Sequence, residues 1–153
     1  MIREGLDSRI VWSLRMSTIA NPPHPEQDPR VKAVFDDIRA TRQTDFVNNM
    51  WRYLAFDPAL LESTWAEVKR VMATPSSLDP LTKEMLYVAV SIVNGCSYCV
   101  HSHTAAASAK GMTSEQHAEL LSIVALAAKT NQLATALQVP VDAVFDRTAR
   151  EPQ

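Results

Sequence analysis

The sequence predicts an all-α fold, a single-domain helical bundle carrying a CxxC helix hairpin. Two observations carry that expectation. An Asp-Pro pair occurs three times, at Asp28-Pro29, Asp57-Pro58 and Asp79-Pro80, each ahead of an apolar stripe of helical period. Glycine is scarce: Gly5, Gly95 and Gly111 are the only three in 153 residues, too few for a turn-rich β fold or a phosphate-cradling loop.

The elements follow in chain order. Ile10, Trp12, Leu14 and Met16 alternate with Arg9, Val11, Ser13 and Arg15, a period of two that reads as an extended arm. No partner strand is evident in the chain, so the arm is expected to lie on a neighbouring subunit; a short helix is the alternative. Residues 21–28, with Pro22, Pro23 and Pro25, read as a linker. Residues 1–27 are thus assigned to an arm and Pro-rich linker, and residues 28–153 to a helical domain.

After Asp28, the residues Val31, Val34, Phe35 and Ile38 mark one helix face. A second short helix shows Val47, Met50, Trp51 and Leu54. After Asp57 come Leu61, Trp65, Val68 and Met72 on one face, and residues 74–79 form a loop. The run 85–93 is apolar nearly all round, which predicts a buried helix stopped by Asn94-Gly95. The next helix spans about 96–110, with Gly111 as its left-handed C′ residue. Thr113 and Gln116 fit a capping box for a last long helix ending near Leu137, before Pro140, and Asp142 caps a final short turn.

Composition narrows the function classes. Apolar residues at 46% and charged residues at 21% indicate a globular chain with a real core. The net charge of −2, with no basic block, leaves no electrostatic footprint for nucleic acid. No apolar run approaches the ~20 residues of a membrane span. Residues 1–17 lack the apolar segment of a secretory signal, so a cytoplasmic protein is expected.

Chemistry concentrates at the two cysteines, Cys96 and Cys99, which form one CxxC. Cys96, Cys99 and His103 are spaced i, i+3, i+7 and so share one helix face. Cys96 falls at the helix N-terminus, where exposed N–H groups and the helix dipole favour a thiolate. Glu84 lies about 10 residues before the Asn94-Gly95 turn and His103 about 8 after it. At ~1.5 Å per residue both sit roughly 12–15 Å from the turn, level with each other across an antiparallel hairpin. Carboxylate, imidazole and thiol then follow the order of an activated nucleophile.

Other readings of the same residues stand beside this one. The cysteines are also compatible with core packing, or with a zinc site using His101 or His103 that lacks a second ligand pair. Haem attachment needs His where Val100 stands, and a thioredoxin-like motif needs strands that are missing from the pattern. Glu84 alone also reads as a first-turn acid favoured by the helix dipole. His101 falls off the thiol face and reads as a surface or interface residue; His24 and His117 read as solvated. Tyr98 either shapes the thiol pocket or packs. Trp12, Trp51 and Trp65 read as core or interface.

The pattern Glu84-x11-Cys96-x2-Cys99-x3-His103 resembles that of the alkylhydroperoxidase D-like group of the carboxymuconolactone decarboxylase superfamily, over roughly residues 46–125. The resemblance implies an all-helical subunit, homo-oligomers such as trimers or hexamers, and thiol-dependent reduction of hydrogen peroxide or organic hydroperoxides. It implies catalytic roles for Glu84, Cys96, Cys99 and His103: Glu84 acts through His103 and a water to draw the proton from Cys99. Cys99 attacks the peroxide, and Cys96 resolves the sulfenic acid as a disulfide opened by a thiol or dithiol reductant. Nothing in this scheme calls for a cofactor. The helix-dipole argument, by contrast, nominates Cys96 as the more acidic thiol. Where the best-known member has a histidine just before the second cysteine, this chain has Tyr98. The alternatives are a protein disulfide oxidoreductase using the same cysteines, and an oligomeric scaffold with an inert CxxC. The apolar run 85–93 and the Ala-rich stretches 105–109 and 125–128 suit close helix approach between subunits.

Overall fold

A computed structural model describes residues 17–145. The expected N-terminal arm, with Trp12, lies outside the described residues. The fold is all-α, with six α-helices and no strand among the described residues. The chain gathers into two compact units that divide between Thr74 and Pro75.

In the first unit α1 spans Pro29–Arg42, α2 Asn49–Leu54 and α3 Pro58–Val68. Asp28 caps α1 by accepting from the N–H groups of Arg30 and Val31, and Asp57 caps α3 in the same way at Ala59 and Leu60. Pro29 and Pro58 fill first helical positions whose N–H would have no partner anyway. Val31, Val34, Phe35 and Ile38 are all buried and meet Val47, Trp51, Leu61 and Trp65 in one core. Met50, expected on that face, points outward, while Val47 contributes from just before α2. Two further elements differ from expectation. The Pro-rich linker contains a 3-10 turn, Pro25–Gln27, and α3 runs on as a π-helical turn, Lys69–Ala73. The rings of Trp51 and Trp65 meet edge to face at 5.3 Å, and Trp65 Nε1 donates to Asp37 Oδ2 at 2.7 Å.

The second unit holds α4, Pro80–Val93, α5, Ser97–Ala109, and α6, Ser114–Ala136, followed by a 3-10 turn, Ala143–Phe145. Asp79 caps α4 at the N–H of Thr82. Helix α4 packs chiefly against α5 and also against α6. Thr113 and Gln116 form the expected reciprocal capping box of α6.

Both glycines of this unit occupy left-handed positions, Gly95 at φ +68° and Gly111 at φ +93°. Each closes a Schellman motif. Cys96 N–H donates to Ser91 O at 3.0 Å and Gly95 N–H to Ile92 O at 3.1 Å. Met112 and Gly111 repeat the pattern on Ala107 O and Ser108 O, both at 3.0 Å.

The expectation that α4 is buried does not hold within one chain. Its buried residues are Lys83, Glu84, Val88 and Ser91, whereas Leu86, Val90 and Val93 are 52%, 60% and 73% exposed. The polar face is the one that α5 and α6 cover, and these apolar residues are left exposed. Among the described residues no helix is long and apolar enough to cross a membrane.

Candidate active site

The hairpin of α4 and α5 builds the site. The Schellman hydrogen bond to Ser91 O makes Cys96 the last residue tied to α4. The same residue is the N-cap of α5, and its Sγ accepts from the N–H of Cys99 at 3.3 Å. One residue therefore ends one helix and starts the next, which sets the thiols at the turn. Cys96 and Cys99, both half-buried, lie at disulfide distance with their sulfurs 2.18 Å apart.

One turn further along α5, on the face of Cys99, stands His103. Its Nδ1 is 2.7 Å from Glu84 Oε2, so the carboxylate and imidazole meet across the hairpin as the helix-rise arithmetic predicts. Glu84 is 7% exposed. Burial is the largest influence on its carboxyl and pushes the pKa up. The hydrogen bonds and positive charges of His103 and Lys110 together outweigh burial and hold it below the ordinary value of 4.5. An ionised carboxylate only accepts, so Nδ1 carries the hydrogen and donates it. When the ring is neutral, this arrangement makes Nε2 its basic nitrogen.

Two residues of the site escaped the sequence reading. Lys110 Nζ donates to Glu84 Oε1 at 3.0 Å, so the two carboxylate oxygens serve two different partners. Tyr87 stacks on the His103 ring with centroids 3.7 Å apart and planes 18° from parallel. The available signals were spacings: Lys110 is i+7 from His103, and Tyr87 is i+3 from Glu84. Read singly, Lys110 is only the residue before a terminating glycine.

The remaining histidines stand apart from this cluster. His101 is exposed and, with Ser91, Ile92, Gly95, Ser97 and Val100, lines an open cavity of about 260 Å³ at the hairpin turn. His24 is exposed and His117 half-buried. Tyr98, between the two cysteines in sequence, is 42% exposed. Trp51 and Trp65 are core residues of the first unit. No group of three His, Cys, Asp or Glu among the described residues is placed to hold a metal ion.

Comparison with known proteins agrees with this geometry. Residues 58–142 match the model of the carboxymuconolactone decarboxylase family. The crystal structure of the alkylhydroperoxidase AhpD core from Rhodospirillum rubrum is similar, with a TM-score of 0.82 and 63% sequence identity, over 85% of this chain and 97% of that one. An uncharacterized protein in the cox locus of Paracoccus denitrificans is 30% identical over 67 residues, which is 44% of this chain. The match spans 60% of that relative's length. From the α4–α5 hairpin with its CxxC, and from these matches, the chain belongs to the carboxymuconolactone decarboxylase family as an AhpD-like member.

Proposed function

We propose that this protein is a thiol-dependent peroxidase that reduces hydrogen peroxide or organic hydroperoxides through Cys96 and Cys99. The observation that carries the reading is the 2.7 Å pairing of Glu84 with His103, one helical turn from Cys99. The similarity to an alkylhydroperoxidase core at 63% identity supports it.

In the reduced protein, His103 Nε2 takes the proton of the Cys99 thiol, directly or through one water. The Cys99 thiolate attacks the outer peroxide oxygen: an S–O bond forms, the O–O bond breaks, and the leaving alkoxide takes a proton to depart as an alcohol. Cys99 is now a sulfenic acid, oxidised by two electrons. Cys96 attacks its sulfur, the S–S bond forms, the S–O bond breaks and water leaves. A dithiol reductant then opens the disulfide by exchange and takes up the oxidation as its own disulfide. Cys96 suits that exchange because it sits half-exposed at the start of α5.

Stopped-flow mixing of reduced protein with an alkyl hydroperoxide is expected to consume two thiols per chain. Retention of both thiols under excess peroxide, with the fold intact, overturns the proposal. The N-cap position of Cys96 favours a second reading, a protein disulfide oxidoreductase. The two diverge at Glu84→Gln. The peroxidase loses on the order of 10²–10⁴-fold in rate with peroxide, while a simple oxidoreductase keeps its rate of disulfide exchange. In either case the uncovered apolar residues of α4 and α6 support a homo-oligomer, trimer or hexamer.

A further inference from the structure

Glu84 is shared. Its Oε2 faces His103 Nδ1 at 2.7 Å, and its Oε1 receives Lys110 Nζ at 3.0 Å. Glu84 and Lys110 are 26 residues apart, on different helices, with the carboxylate almost wholly buried. Lys110 is the C-cap of α5, and its backbone is fixed by the Schellman turn at Gly111. The lysine therefore reaches the site from a rigid position.

We propose that Lys110 is a positioning residue for the thiol chemistry. By occupying Oε1 it turns Oε2 toward the imidazole and shares the carboxylate's charge, so that His103 presents a neutral ring with Nε2 free to take the Cys99 proton. This rests on the thiol-redox reading of the site. The physical need is specific. A buried carboxylate facing an imidazole alone stabilises the imidazolium, and a ring already protonated accepts nothing from a thiol. A cation on the far oxygen draws part of that charge away.

The other titratable groups of the two packed helices are Lys83 and Tyr87 on α4, and Tyr98, Cys99, His101 and His103 on α5, with Cys96 as its N-cap. Glu115, His117, Glu119 and Lys129 belong to α6, which packs against α4. After burial, the largest influences on Glu84 are His103 and Lys110.

Removal of a cation raises the pKa of every acid coupled to it, thiol and imidazolium alike, so the direction of the effect does not depend on which of them yields its proton first. The experiment follows alkylation of Cys99 by iodoacetamide against pH, in the full chain carrying Cys96→Ser, with Lys110 intact or changed to Met or Arg. With Lys110→Met the acid limb is expected to move to higher pH, and the rate at pH 7 to fall roughly 3–10-fold. Lys110→Arg keeps the charge and is expected to return the limb to its parent position.

A Lys that merely complements the helix dipole predicts lower stability for the Met variant and an unmoved profile. Superimposable profiles for parent and Met variant overturn the proposal, as does an Arg variant displaced as far as the Met one. Should Lys110→Met fail to fold, Lys110→Gln, which keeps a hydrogen-bond donor without the charge, takes its place with the same expected displacement, and an unmoved limb overturns the proposal. The tautomer of the unsubstituted reduced protein tests the Glu84–His103 pairing on which the proposal rests. Nitrogen-15 shifts of the neutral His103 ring are expected to show a protonated Nδ1 and an unprotonated Nε2, and the opposite tautomer overturns the assignment. Neither measurement uses peroxide. A displaced acid limb in a protein that leaves peroxide untouched would end the peroxidase reading and keep Lys110, whereas peroxide turnover with an unmoved limb would do the reverse.

Discussion

At Glu84 burial and charge act in opposite directions on one carboxylate. Burial favours the neutral acid; the hydrogen bonds and positive charges of His103 and Lys110 favour the anion, and their sum holds the pKa below 4.5. A pKa lowered by folding means that the ionised form contributes stability above the unfolded value. That contribution is lost as pH falls through the lower, folded value. Glu84→Gln is therefore expected to cost roughly 1–3 kcal/mol at neutral pH, the worth of hydrogen bonds to a charged group. The gap between the two proteins should close as pH drops below about 4.5. Urea titrations at pH 7, 5 and 3.5 measure it, and a gap that stays constant across them contradicts the role assigned to the carboxylate. The Glu84–His103 pair was legible in the sequence because it depends on backbone rise alone. Lys110 and Tyr87 were not, since a spacing along one helix marks a shared face but not the partner that a side chain reaches on it.

The hairpin turn is where local sequence governs the chemistry most directly. Gly95 sits at φ +68° with open space where a Cβ would lie, so a substitution there meets backbone strain and no clash. Gly95→Ala is expected to lower stability by about 1–2 kcal/mol, the cost of a left-handed residue bearing a Cβ. Denaturant midpoints check this, and a loss under about 0.5 kcal/mol would mean that the turn relaxes into another form. The turn also carries the hydrogen bond from Cys96 to Ser91 O, so strain at Gly95 is transmitted to the first thiol. The helix starts at Asp28, Asp57 and Asp79 were readable for a related reason: an N-cap followed by proline is a contact within three residues. The π-helical turn at Lys69–Ala73 had no such local sign. Helix α4 shows the opposite limit. Its pattern reveals that most faces are apolar, but periodicity does not say which face a neighbour covers.

For the molecule as a whole, the uncovered face of α4 is the strongest constraint. Leu86, Val90 and Val93 on α4 are exposed, and so are Leu121, Ile123, Leu126 and Leu133 on α6. Full burial of one such side chain is worth about 1.5–3 kcal/mol. The seven are already about half covered on average, so burying the rest of all of them gains roughly 6–12 kcal/mol, comparable with the ~5–15 kcal/mol stability margin of a typical domain. Exposed apolar residues of this kind commonly mark an interface, and closed point-group symmetry would let the same surface on each copy serve every subunit. The expected outcome is an assembly, trimer or hexamer, in sedimentation velocity at micromolar concentration. Val90→Asp, placed on the exposed side of α4 and away from Glu84, is expected to shift the distribution toward smaller species, because it would put an unpaired charge into an interface formed by this side of the helix. A monomer for the unsubstituted protein under those conditions would leave the apolar face without an explanation in self-association. An assembly unmoved by Val90→Asp would place the interface on α6 instead.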